Sequence, residues 1–172
     1  LEAEEKWDFW EWFAGTGALT ECMESAGFTC GPPISWETGW DLSNEEHQAV
    51  LFQLLRDKKP ALLWASPELT SWSREGGKYV LADHAALDRL QSAVSHQASL
   101  GAGWVVEVSD RNEYWVSPYG DQLKKVSGCL PDQIVDMCTH GLICPDTRRP
   151  MRRRTRLRGN KLFSRELLTT CT

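Results

Sequence analysis

Two short stretches hold residue types suited to chemistry. Phe13-Ala14-Gly15-Thr16-Gly17 follows the aromatic run Phe9-Trp10-Glu11-Trp12. Ser66-Pro67-Glu68-Leu69 follows the apolar run Ala61-Leu62-Leu63-Trp64-Ala65. Each reads as the turn at the carboxyl end of a buried strand. Glycine lacks a Cβ, so a Gly-x-Gly turn lets a ligand approach the backbone. Nucleotide-type ligands bind at such strand ends in an open α/β sheet. The third glycine of a dinucleotide fingerprint is absent. Glu37 follows the glycines by about twenty residues, the spacing of an acid that binds ribose hydroxyls. Trp36 beside it offers a ring for stacking, and Asp41 an acceptor for an adenine amino group. The bland alternatives are a tight structural turn, a surface acid, a core tryptophan and a turn residue before a helix.

The elements that must position these residues follow from periodicity. Residues 9–13 read as a buried strand, 18–26 as a helix closed by Gly27, and 28–30 with 34–37 as a second strand bent by Gly31-Pro32-Pro33. A helix begins after Asp41, with Ser43 and Glu46 at capping-box spacing and Val50, Leu51, Leu54 and Leu55 on one face. Residues 61–65 are a short continuous apolar run, as expected of a buried parallel strand, and residues 104–108 read as a further buried strand. Between them lie a polar loop over 66–78 and a helix over 80–100. Beyond residue 109 the pattern weakens to a helix or irregular segment over 111–128, a strand over 133–136, an arginine-rich hairpin and a final helix over 162–170. This alternation predicts a three-layer α/β domain, a mostly parallel sheet with helices on both faces.

At 172 residues the chain suits one domain, with residues 1–7 as a disordered or tag-derived extension. A composition of 41% hydrophobic and 25% charged residues excludes a disordered chain, and no apolar run is long enough to span a bilayer. The acidic start is not a signal peptide, so reduced cysteines and an intracellular setting, nucleus or cytoplasm, are expected. Cys138, His140 and Cys144 fit no common zinc spacing, and no metal is expected. The net charge is −5, yet seven arginines crowd residues 148–158. That stripe reads as a phosphate-binding patch for nucleic acid or as a solvated basic turn.

Taken in order, these stretches resemble the S-adenosylmethionine-dependent DNA cytosine-5 methyltransferases. Phe13-Ala14-Gly15-Thr16-Gly17 is similar to the first motif of that family, and so are the acid after the second strand, the Asp41 position and Ser66-Pro67. Val105-Val106-Glu107-Val108 resembles its Glu-Asn-Val strand. Arg152-Arg153-Arg154-Thr155-Arg156 resembles its Gln-x-Arg-x-Arg segment. Gly39-Trp40-Asp41-Leu42 and Asn160 are similar to methyltransferase-like segments of retroelements. The resemblance implies a Rossmann-like methyltransferase fold and S-adenosylmethionine as cofactor, held by Phe13, Gly15, Gly17, Trp36, Glu37, Asp41, Ser66 and Pro67. It implies that Glu107 holds or polarises the acceptor base, and that Arg154 and Arg156 hold phosphate or orient the pocket.

The departures from the family sit where its chemistry would be. There a Pro-Cys dipeptide supplies the thiolate that adds to carbon 6 of cytosine. Here the stretch reads Ser66-Pro67-Glu68-Leu69, so the nucleophile position falls on Leu69, which cannot attack, or on Glu68, a poor nucleophile for that addition. Val108 replaces the asparagine, Trp36-Glu37 reverses the usual order, and no length is left for a full target-recognition domain. Two readings follow. One is a compact methyltransferase, inactive or altered at carbon 5 of cytosine. The other is a non-catalytic module that binds nucleic acid or protein on a methyltransferase fold. Either way, the strands ending at Ala65 and Val108 are expected to be neighbours, with Leu69 near Glu107.

Overall fold

A strand that reads Phe-Trp-Glu-Trp and buries all four side chains needs a layer on each of its faces. The computed structural model describes residues 6–67, 73–75, 78–80 and 84–170 and supplies those layers. The chain runs β1 (Phe9–Trp12), α1 (Ala18–Ser25), α2 (Glu45–Lys58), β2 (Leu62–Ala65), β3 (Ser73–Glu75), β4 (Lys78–Val80), α3 (His84–Ser99), β5 (Gly103–Ser109), α4 (Pro118–Lys124), β6 (Gln133–Asp136) and β7 (Arg154–Gly159). The main sheet has the order β1-β2-β5-β7-β6. Pairing is parallel from β1 to β2 and from β2 to β5, and β7 enters antiparallel between β5 and β6. Within this sheet, then, only β7 runs against the others. This is the expected three-layer, mostly parallel α/β architecture.

Strand alternation divides the core in two. Trp10, Trp12, Leu63, Ala65, Trp104 and Val106 face Leu51 and Leu55 of α2, Leu87, Leu90 and Val94 of α3, and Leu123 of α4. On the opposite face Val105, Val135 and Leu157 cluster with Leu62, Trp64, Phe163 and Leu168. There α1 covers the β1 end and the C-terminal segment covers the other.

Several expected elements take another form, each for a local reason. The second strand shrinks to two isolated parallel bridges, Phe9 to Cys30 and Trp12 to Ile34. Pro32 and Pro33 lie between them and have no N–H to donate to a ladder. Asn44, not Ser43, caps α2, its side chain accepting from the Glu46 and His47 amides. Ser43 turns instead to Asp41. The loop over 66–78 contains β3, which pairs antiparallel with β4, and α3 begins at His84 rather than at residue 80. The expected final helix is absent. Residues 161–169 are drawn onto β6 instead: Asp136 N–H donates to Thr169 O (2.9 Å), and Gln133 bonds both Lys161 O and Phe163 N. Trp7, assigned to the terminal extension, is bonded to Lys58 and Ala61 and stands edge-on to Trp10. Cys22, Cys30, Cys129 and Cys144 are free, whereas Cys138 is disulfide-bonded, so the thiols are not all reduced.

The arginine stripe is not a local hairpin. Its second half is β7, and alternation sends Arg154, Arg156 and Arg158 to one face. There Arg154 binds Asp136, Arg156 binds Asp110 and Asp132, and Arg158 binds Asp132 and the Gly120 carbonyl. Arg158 is 1% exposed and lies 4.6 Å over the Trp115 ring. Burial alone would raise the Asp132 carboxyl, but hydrogen bonds and charge from Arg158 and Arg156 hold it below the usual carboxylate range. Asp132→Asn strands a buried guanidinium and should cost about 3 kcal/mol at neutral pH, read from the urea midpoint. Because the native carboxyl is the stronger acid, its contribution is complete above about pH 4 and is lost as pH falls through the depressed native value. The gap between wild type and variant should therefore close in acid. A constant gap would show that Asp132 does not carry it.

Candidate functional site

The sheet register brings the ends of β1 and β2 level with Val106 of β5, which runs on to Ser109: Trp12 pairs with Ala65, and Ala65 with Val106. The strands ending at Ala65 and beyond Val108 are therefore neighbours, as expected. Their carboxyl ends border a cleft of about 360 Å³ lined by Glu11, Phe13, Ala14, Gly15, Ser66, Pro67, Glu107, Val108, Ser109, Asn112 and Arg153. Small-molecule pockets start at roughly 300 Å³.

One wall is the turn after β1. Phe13 has φ 57°, a left-handed conformation uncommon for an aromatic residue, and Gly15 and Gly17 follow with φ 54° and 76°. The turn is fixed by its neighbours: Ala14 N–H donates to Ile34 O (3.0 Å), and the Ser35 hydroxyl donates to Gly15 O (2.8 Å). Gly17 is the N-cap of α1 and has no side chain with which to cap. Glu11 does so from the adjacent strand. Its carboxylate accepts from the Thr20 amide (3.0 Å) and hydroxyl (2.6 Å), which satisfies a buried acid and an orphan helix donor together.

The facing wall joins β2 to β5. The Ser66 hydroxyl donates to the Glu107 carboxylate (3.0 Å), and the Trp64 indole donates to both Ser66 Oγ (2.9 Å) and Glu107 Oε2 (3.2 Å). The cleft opens through Ser109 and Arg153 into a basic hollow of about 470 Å³, also lined by Asp110, Arg111, Arg152 and Arg154. Among the described residues, Arg111 and Arg153 make no ion pair.

The structure thus brings Phe13, Gly15, Ser66, Pro67 and Glu107 together and leaves other candidates outside the cleft lining. A Cβ on Gly17 would meet Pro33 Cγ at 2.9 Å, so this glycine serves the helix start. Glu37 is exposed and Trp36 is 76% exposed, in the turn that Ser35 ties to Gly15. They stand beside the cleft rather than in its wall. The Asp41 carboxylate accepts from the Ser43 hydroxyl and amide, which hold it below the usual carboxylate range. Arg154 and Arg156 spend their guanidinium groups on aspartates, although Arg154 still borders the hollow. Glu68 and Leu69 lie outside the described residues. Sequence reading missed Glu11 and Asn112, and it had Arg153 only as one of the arginine stripe. The signal for Glu11 was an acid inside an otherwise aromatic strand, which demands a buried partner.

The two glycines should separate on mutation. Alanine at either position adopts a left-handed backbone, costing about 1–2 kcal/mol. At Gly17 it also collides with Pro33, whereas at Gly15 no atom lies within 4 Å. Gly17→Ala should therefore melt lower than Gly15→Ala in a thermal scan. Equal melting temperatures would remove the packing role of Gly17.

No family model and no curated protein matches the chain. Among solved structures it is similar to the crystal structure of S. pombe Dnmt2 methyltransferase, with a TM-score of 0.53 and 13% identity over 93% of this chain and 52% of that one. The chain spans about half the length of that neighbour. At this identity the likeness establishes the fold, which is that of a methyltransferase. Among the described residues no helix is long and apolar enough to cross a membrane.

Proposed function

We propose that this methyltransferase-fold chain binds S-adenosylmethionine in the cleft between the Gly15 turn and the Ser66–Glu107 pair, and that it does not methylate carbon 5 of cytosine. The observation that carries the reading is the cleft itself: the adjacent carboxyl ends of three strands, a glycine turn whose backbone is open to free space, and a carboxylate and hydroxyl on the facing wall. These residues suit the cofactor. The Gly15 turn admits close approach, Trp36 offers an exposed ring beside it, and Glu37 a carboxylate for ribose hydroxyls. Bound S-adenosylmethionine supplies a sulfonium methyl group that a nucleophile can take. Glu107 holds or polarises the acceptor. Arg111 and Arg153, free of ion pairs among the described residues, suit a phosphate at the basic hollow, so the acceptor class is nucleic acid, DNA or RNA. Arg154 and Arg156 keep the wall of that hollow in place through their aspartates.

Ser66-Pro67-Glu68-Leu69 contains no thiol, so the covalent route to carbon 5 is closed. That observation also favours a second reading, a module that binds nucleic acid or protein without transferring a methyl group. Calorimetric titration with S-adenosylmethionine and S-adenosylhomocysteine tests the cofactor, and binding of either is expected. Glu37→Ala should weaken it by roughly 1.5–3 kcal/mol through loss of charge-assisted hydrogen bonds. No heat and no change in tryptophan fluorescence in the parent chain would overturn the cofactor reading. Labelled S-adenosylmethionine with duplex DNA or tRNA then separates the two functions. The parent chain should give no 5-methylcytosine, and its appearance would show that the nucleophile lies elsewhere. Leu69→Cys and Glu68→Cys each return a thiol to the turn. A covalent adduct with either would favour the altered-enzyme reading, and silence from both despite cofactor binding would favour the module.

A further inference from the structure

Trp64 lies on β2 opposite Val105 of β5, so Glu107 stands two residues further along on the same face. The large indole spans that diagonal. Its N–H reaches Ser66 Oγ at 2.9 Å and Glu107 Oε2 at 3.2 Å, while Ser66 Oγ is 3.0 Å from the same carboxylate oxygen. The three groups close a triangle. An indole only donates, and a hydroxyl carries one hydrogen. With the indole N–H occupying a lone pair of Ser66, the serine hydrogen is directed to Glu107. Glu107 Oε2 therefore receives two hydrogen bonds, whereas among the described residues Oε1 receives none. Trp64 is braced from behind by Phe163 of the C-terminal segment, edge-on at 5.9 Å, and Phe163 is held in turn by the Gln133 side chain.

We infer that Trp64 is a positioning residue of the cleft: its indole N–H orients the Ser66 hydroxyl and sorts the Glu107 carboxylate into one held oxygen and one available to an acceptor, and the C-terminal segment holds Trp64 in that pose through Phe163. The inference rests on the cleft's being the functional site, but the triangle itself can be tested without ligand. A tryptophan that merely filled the second core would show no dependence on Ser66 or Glu107.

The experiment is amide and indole NMR of the ¹⁵N-labelled chain. The Trp64 indole signal is identified as the one missing from the Trp64→Phe spectrum, or by backbone-linked assignment if that variant does not fold. Glu107→Gln and Ser66→Ala should each move this signal upfield and raise its solvent-exchange rate by about fivefold, the value of one hydrogen bond. Phe163→Ala should shift the same signal and Phe163→Leu should largely restore it. An indole signal unmoved by both Glu107→Gln and Ser66→Ala overturns the inference. Titrating S-adenosylhomocysteine into the wild-type chain is the separate arm: a shift at the Trp64 indole is expected. A triangle confirmed by the variants but indifferent to this probe, with no binding in calorimetry, overturns the cofactor reading and leaves the positioning network standing.

Discussion

The structure turns on a buried guanidinium. Arg158 lies over the Trp115 ring, bonded to Asp132 and to the Gly120 carbonyl, with almost no exposure. A charge so placed is tolerated only with its carboxylate beside it. The requirement places β7, the one strand of the main sheet that runs backwards. With β7 seated, β5 is an inner strand paired on both edges, and Glu107 lies opposite Leu157 in a fixed register. The same interaction docks α4 and ties the residues before β6 to the sheet. The position of the cleft's acid is thus set from the far side of the sheet, by residues that never touch the cleft.

What the sequence made legible was the half of the molecule built from local rules. The apolar run at 62–65 and the mainly apolar and aromatic runs at 103–109 and 9–12 became parallel strands because their single acids find partners at the strand ends and the rest suits a buried ladder. The glycine turn and Ser66-Pro67 fell at strand ends because helices follow strands with tight turns. What stayed hidden depends on contacts distant in sequence. The arginines of 154–158 look like a solvated stripe until alternation and three aspartates, Asp110, Asp132 and Asp136, are seen to absorb one face of them. The residues at 162–170 have helical spacing, but β6 offers backbone partners and the second core offers sites for Phe163 and Leu168. Those gains outweigh a short helix of marginal intrinsic stability. Glu11 shows a third kind of failure. Its partner, Thr20, is only nine residues away, but the pairing exists only once α1 folds back over β1.

The two sheet faces are finished by different means, and this bears on the cleft. The face carrying Trp10, Trp12 and Trp104 is closed by three helices around large, fully buried rings. The other has one eight-residue helix and an irregular C-terminal segment. Of the polar side chains lining the cleft, Glu11 and Glu107 on the strands and Ser66 just beyond belong to the second, more lightly covered face. Polar groups there can be satisfied by short networks at the strand ends. On the first face, at β1 and β2, the same carboxylates would meet an apolar core of indoles and aliphatic side chains.

The described fold is built without recourse to the residue at position 69. The cleft walls are set by the parallel registers of β1, β2 and β5, by the bonds from Ile34 and Ser35 to the glycine turn, and by the Trp64–Ser66–Glu107 triangle. None of these passes through residue 69. The contacts that set the described sheet are thus independent of which residue stands at position 69. Persistence of the fold is therefore no measure of retained chemistry. The described site holds a turn open to a ligand, a carboxylate with one oxygen spare, and two arginines without an ion pair among the described residues. On the proposed reading such a site binds and orients a nucleotide, and it transfers a methyl group only to an acceptor that brings its own nucleophile.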